Sequence, residues 1–160
     1  MFRAITNNDF DIVYDIYMSD SVNPFMSWEK VSKKDFEDCF KDLLSRDEFL
    51  AFEENGNLLG LVTVIRGKWR KRHVATLGSL AVSTSYQNKG VGSRMMNLLI
   101  NSLKDEGIRR LELTVESDNL SAIHLYERLG FQQEGILREY FRRDGHPEAI
   151  DDYVMSKLLS

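Results

Sequence analysis

The segment that most restricts what this chain can become runs from Val82 to Arg94. An apolar strand-like stretch ends, a short polar loop follows, and Gln87-Asn88-Lys89-Gly90-Val91-Gly92 opens a run with apolar residues at 91, 95, 98, 99 and 103. That spacing is the period of an amphipathic helix. A helix start leaves several backbone N–H groups without intrahelical acceptors and carries about half a positive charge. Glycines at such a start let a phosphate come close to the backbone, because no Cβ stands in the way. The arrangement suits a pyrophosphate, although the same turn also serves as a plain strand–helix connection. Two familiar nucleotide loops are excluded by spacing. There is no G-x-x-x-x-G-K-[ST], and Met95 stands where a dinucleotide fingerprint has its third glycine.

The rest of the chain builds a sheet around this unit. Phe2-Arg3-Ala4-Ile5 reads as a short strand, and Thr6 with Asp9 has capping-box spacing ahead of Ile12, Val13, Ile16 and Tyr17. Ser32 with Asp35 offers a second cap before a helix reaching about Ser45. Phe49 to Phe52, Asn55-Gly56 and Leu58 to Ile65 form a hairpin signal. A strand follows from His73 to Val82, then the helix from Gly90 to Glu106 stopped by Gly107, then a strand from Leu111 to Val115. Asn119 caps a helix carrying Ile123, Tyr126 and Leu129, which Gly130 ends. Phe131 to Leu137 and Ile150 to Leu158 are the last strands. The expected fold class is α/β (α+β): a mixed, mostly antiparallel sheet of about seven strands flanked by about four helices. With two prolines and no repeat or low-complexity stretch among 160 residues, one domain spanning 1–160 is expected.

Charge and cysteine content exclude several classes. The formal charge of −4 argues against a dedicated nucleic-acid binder. Cys39 is the only cysteine, so an internal disulfide and a thiolate metal cluster are both ruled out. Its setting among Phe36, Phe40 and Leu43 suggests a buried thiol. No apolar run is long enough to span a bilayer, and Met1 to Phe10 lacks the build of a signal peptide, so a cytoplasmic protein without membrane contact is expected.

Two segments resemble the GNAT superfamily of N-acetyltransferases. Gln87 to Gly92 is similar to its Gln/Arg-x-x-Gly-x-Gly/Ala signature after a buried strand. Asp118 to Phe131 is similar to its Asn-x-x-Ala-x-x-x-Tyr-x-x-x-Gly-Phe helix and strand start. The tail from Tyr140 to Gly145 and from Asp152 to Met155 looks closest to the small-molecule and L-amino-acid N-acyltransferases. The resemblance implies acetyl-CoA as co-substrate and a small primary amine, such as an amino acid or polyamine, as acceptor, with direct attack in a ternary complex. It also implies roles. The backbone of Leu80, Ala81 and Val82 would pair with the pantetheine arm, Gln87 would belong to the cradle, and the amides of Asn88, Lys89, Gly90, Val91, Gly92 and Ser93 would hold the pyrophosphate. Asn119 would lie on the pantetheine or adenosine side, and Tyr126 would face the sulfur. A protein N-terminal or lysine acetyltransferase, and an acetyl-CoA-binding module without turnover, are the alternatives. A homodimer is compatible with all of them.

Acetyl transfer needs a neutral amine, a stabilised oxyanion and a proton for the departing thiolate. Tyr126 fits the last need, because a phenol of pKa about 10 stays protonated at neutral pH. The base is open. Thr114 stands where the ribosomal-protein branch of the family carries a glutamate, and Glu112 or Glu116 on the same strand face, or water, could replace it. His73 and His124 are weaker candidates, and no clustering of histidine and cysteine suggests a metal. Arg66 to Arg72, with Trp69 inside it, reads as a solvated hairpin tip. Phe25, Met26 and Trp28 form either the acceptor wall or a core plug.

Overall fold

A computed structural model describes residues 1–46 and 48–160. Its strands are β1 (Phe2–Ala4), β2 (Glu48–Glu54), β3 (Asn57–Arg66), β4 (Val74–Val82), β5 (Arg110–Glu116), β6 (Gln132–Phe141) and β7 (Ile150–Leu158). Its helices are α1 (Phe10–Tyr17), α2 (Lys33–Ser45), α3 (Val91–Asp105) and α4 (Leu120–Arg128). The strands form one sheet in the order β1-β2-β3-β4-β5-β7-β6. Pairing is antiparallel for β1 with β2, β2 with β3, β5 with β7 and β6 with β7, and parallel for β4 with β5. This is the mixed, mostly antiparallel sheet expected from the sequence. The described residues group into two compact units.

The first unit comprises Met1–Ile65 and Leu77–Met95. Both expected caps form. The Asp9 carboxylate accepts the Thr6 N–H at 2.8 Å, and the Ser32 hydroxyl accepts the Asp35 N–H at 3.2 Å. Arg3 also clamps Asp9 with two bonds of 2.8 Å, and that guanidinium holds the Asp9 carboxyl down at about 2. The β2–β3 hairpin turns at Asn55 (φ 51°) and Gly56 (φ 76°), two left-handed residues in succession, as a type I′ turn requires. α1 and α2 lay Val13, Ile16, Tyr17, Phe36, Phe40 and Leu43 against Phe49, Ala51 and Leu61. Trp28 joins this core, with its ring 5.4 Å from that of Tyr17 and 6.0 Å from that of Phe36. Cys39 packs against the same core but is only half-buried, because it lies at the edge of the α2 stripe whose centre is Phe36, Phe40 and Leu43.

The second unit comprises Arg66–Thr76 and Met96–Ser160. Leu111, Leu113 and Val115 alternate along β5 as one buried face, and Ile123, Phe131 and Met155 are buried too. On the other β5 face Arg110 bridges Glu112 at 3.0 Å and Glu134 at 2.6 Å. Trp69, in a single 3-10 turn, is 87% exposed, as a solvated tip requires.

Candidate functional site

In the first unit Ser79, near the end of β4, takes a left-handed φ of 48° within the strand. The hydroxyl of buried Tyr17 donates to the Ser79 carbonyl at 2.7 Å, satisfying a polar tip that the core would otherwise strand. Beyond it come Leu80, Ala81 and Val82. The Gln87 side-chain amide donates to the Val82 carbonyl at 2.9 Å and to the Ser21 hydroxyl at 3.0 Å, tying the strand end to the glycine turn. Asn88 (φ 58°) and Gly90 (φ 73°) then take left-handed conformations on either side of Lys89. Alternation of this kind turns successive N–H groups toward a common concavity that favours an anion. At Gly90 a Cβ would meet nothing closer than the Arg94 guanidinium at 3.6 Å, so backbone conformation rather than space calls for glycine.

Helix α3 closes its first turn with Arg94 N–H to Gly90 O at 3.1 Å. The amides of Val91, Gly92 and Ser93 precede that bond and have no intrahelical acceptor. Arg94, which periodicity alone does not mark, braces the turn. It donates to the Lys89 carbonyl at 3.0 Å and grips Glu54 at 3.0 and 2.9 Å. The Lys89 ammonium turns back to the Ser85 carbonyl at 2.8 Å. The side chains of Gln87 and Lys89 therefore shape the cradle, while the main chain supplies its donors. That donor set fits a pyrophosphate.

The second unit holds the candidate acid and base. Asn119 caps α4 as expected, its side-chain oxygen accepting the Ala122 N–H at 3.4 Å. Tyr126 on that helix is buried, its ring 5.7 Å from that of Phe131. Burial above all, and then the Glu116 charge, raise its pKa. Glu116, at the end of β5, is pushed up to about 7, first by burial and further by the Asp152 carboxylate, against the pull of its own backbone N–H, Asn119 and Arg143. Glu112 is differently placed: Arg110 pairs with it and the Thr76 hydroxyl donates to it at 3.3 Å. Thr114 is exposed, as are His73 and His124. Asp152, which local pattern does not mark as a site residue, is buried, with 4% of its surface exposed. It is the direct register partner of Glu116 across β5 and β7. Burial raises its pKa as well, with Asp118 adding and Arg143 opposing.

The glycine-turned helix start offers amides suited to an anion, and elsewhere a buried phenol lies near a carboxylate that burial raises. The combination suits acyl transfer. Residues 10–131 match the Acetyltransferase (GNAT) family, and the chain belongs to that family, whose members use acetyl-CoA and are N-acetyltransferases. It is 31% identical over 88% of its length to an uncharacterised N-acetyltransferase of Methanocaldococcus jannaschii. It is 36% identical over 65% of its length to the L-amino acid N-acetyltransferase AaaT of Escherichia coli. In each case the alignment spans 64% of the relative's own length. The crystal structure of the ribosomal-protein-S18-alanine N-acetyltransferase from Escherichia coli superposes with a TM-score of 0.77 at 25% identity, covering 100% of this chain and 94% of that one. Among the described residues no helix is long and apolar enough to cross a membrane.

Proposed function

We propose that this chain transfers an acetyl group from acetyl-CoA to the primary amine of a small molecule, an amino acid or a polyamine, with both substrates bound together. The observation that carries this reading is the pairing of Glu116, a carboxylate held at about 7, with Tyr126, a phenol held protonated. Groups whose environments drive their pKa values apart are the mark of divided acid and base roles. In this reading the acceptor's ammonium gives one proton to Glu116, which passes it to solvent. The freed nitrogen bonds the acetyl carbon and the carbon–sulfur bond breaks. Tyr126 protonates the departing sulfur and recovers a proton from the nitrogen. Glu112 is left out of this role by its ion pair with Arg110.

The cofactor side follows from the main chain. Leu80, Ala81 and Val82 offer strand-edge groups to the pantetheine arm, and the amides from Asn88 to Ser93 offer donors to the pyrophosphate. Asn119 is assigned to the pantetheine or adenosine side, and its side chain hydrogen-bonds Glu116. Residues 1–160 act as one domain, a reading supported by a family match that runs through both compact units. We place the protein in the cytoplasm, where acetyl-CoA is made available, and assign it no nucleic-acid or membrane partner.

A second reading, acetylation of a protein N-terminus, is favoured by the likeness to the S18-alanine enzyme. A thiol-release assay against free amino acids, polyamines and short peptides separates the two. Release with small amines, and an acetylated product by mass spectrometry, is expected. Release with peptides alone would replace the first reading by the second, and no release with any acceptor would remove both.

A further inference from the structure

Glu116 and Asp152 face each other directly across antiparallel strands, so their side chains leave the same face of the sheet with Cβ atoms about 4.5–5.5 Å apart. Asp152 is buried to 4% exposure, and its Oδ1 has no hydrogen-bond partner among the described residues. A buried carboxylate oxygen left without a donor is costly, and such atoms demand an explanation. The charges that face the pair do not supply one. Arg143, from the segment after β6, is bound to Asp118 through bonds of 2.7 and 3.1 Å. It also acts on Glu116 and Asp152, so one guanidinium stands against three carboxyl groups. His146 acts on Asp118, and the other neighbours are Asn119, which caps α4, and the neutral Tyr126 on that helix. Glu116 has its own backbone N–H and Asn119 as donors, but among the described residues Asp152 Oδ1 has none, and Arg143 is shared by the three acids.

Resting on the transferase reading, we infer that Glu116 and Asp152 form the subsite that receives the acceptor's ammonium, and that the acceptor is an aliphatic amine with no carboxylate on the carbon bearing the reacting nitrogen. An ammonium brings both missing things at once, a charge and up to three N–H donors. A metal ion is a poorer occupant, since no group of three His, Cys, Asp or Glu among the described residues is placed to hold one. The exclusion of α-amino acids follows from like charge. An α-carboxylate lies one carbon from its nitrogen and would be pressed against two acids already crowded together, where like charges within about 4–6 Å disfavour one another strongly. Decarboxylated amines escape that repulsion and keep the attraction.

The test uses acceptors in matched pairs that differ only in that carboxylate: tyramine with tyrosine, isoamylamine with leucine, agmatine with arginine. In each pair the amine without the carboxylate is expected to show at least about tenfold higher kcat/KM. Asp152→Asn, nearly isosteric, is expected to shrink that ratio at least about fivefold with an unchanged circular dichroism spectrum. Equal use of both members, preference for the amino acids, or an undiminished ratio in folded Asp152→Asn would overturn the subsite. Calorimetric titration of the full chain with agmatine and with arginine reads the same preference without turnover. If no amine is acetylated but agmatine still binds the more tightly, the subsite stands and the transferase reading falls. If neither binds, or both bind alike, the subsite falls. Should Asp152→Asn fail to fold, Glu116→Gln carries the binding comparison, and a preference retained there overturns the proposal.

Discussion

Glu116 and Tyr126 tie the chemistry to stability through single atoms. Burial and the neighbouring Asp152 raise Glu116 from 4.5 to about 7, so the folded chain prefers the protonated acid. The sign follows from proton counts. Between those values the native state binds more protons than the unfolded state, and stability is lost as pH rises through about 7. Glu116→Gln removes the charge and keeps the shape. Its melting temperature should match the parent's at pH 5 and exceed it at pH 8, a gain on the order of 2 kcal/mol after allowing for partial solvent access. A gap that stays constant with pH would show that Glu116 is not perturbed. The same variant should lose ~10²-fold or more in kcat, as expected for a positioned base. Tyr126→Phe keeps the ring against Phe131 and deletes the hydroxyl. A fall in kcat of about 10²-fold is expected, with little change in acetyl-CoA affinity. Single-turnover rates should be measured beside kcat, and a chemical step slowed less than about threefold would remove Tyr126 from the mechanism.

Among the elements, the start of α3 and the loop before α2 make opposite demands. Gly92 lies in the first turn of α3, where the helix field favours an anion. Gly92→Glu would place a carboxylate where the pyrophosphate belongs, so calorimetry should show acetyl-CoA binding lost with the fold kept. Trp28 belongs to packing instead. Its ring contacts Tyr17 and Phe36, and its buried indole N–H has no partner among the described residues. Trp28→Ala should cost roughly 2–4 kcal/mol in denaturant unfolding. Trp28→Phe should cost much less, because it deletes the stranded donor with only part of the volume. A large rise in the acceptor KM at unchanged stability would return Trp28 to the acceptor wall. The elements themselves were legible because their signals are local. Thr6 and Asp9, Ser32 and Asp35, and Asn55-Gly56 act within four residues, and helical period marks α1 to α4. Ser79, Arg94 and Asp152 were not legible, for a common reason. Each takes its meaning from a partner distant in the chain: the Tyr17 hydroxyl, Glu54, and Glu116 across a strand register that local pattern does not specify. Glu112 and Glu116 look alike in sequence; Arg110, two residues before Glu112, and Asp152, across the register from Glu116, distinguish them.

At the level of the whole molecule, continuity of two elements bears on how the chain unfolds. β4 passes from Val74–Thr76 in the second unit to Leu77–Val82 in the first, and α3 passes from Val91–Met95 in the first to Met96–Asp105 in the second. A helix propagates cooperatively once nucleated, so half of α3 is a poor place to stop. One domain, and one unfolding transition, is therefore the expectation. Trp69→Phe alters an exposed tip and leaves Trp28 as the sole indole, a reporter inside the first unit's core. Its fluorescence should melt at the same temperature at which β7 amides of the second unit lose hydrogen-exchange protection. Acetyl-CoA at about 100 times its Kd should stabilise the native state by about 2.7 kcal/mol. For a chain of this size that corresponds to a rise of roughly 5–10 °C, and both probes should move together. Two separate transitions, or a shift seen by Trp28 alone, would show that the units unfold independently and would remove the single-domain proposal. Coincident transitions with no shift would leave the domain intact and count against the cradle as an acetyl-CoA site.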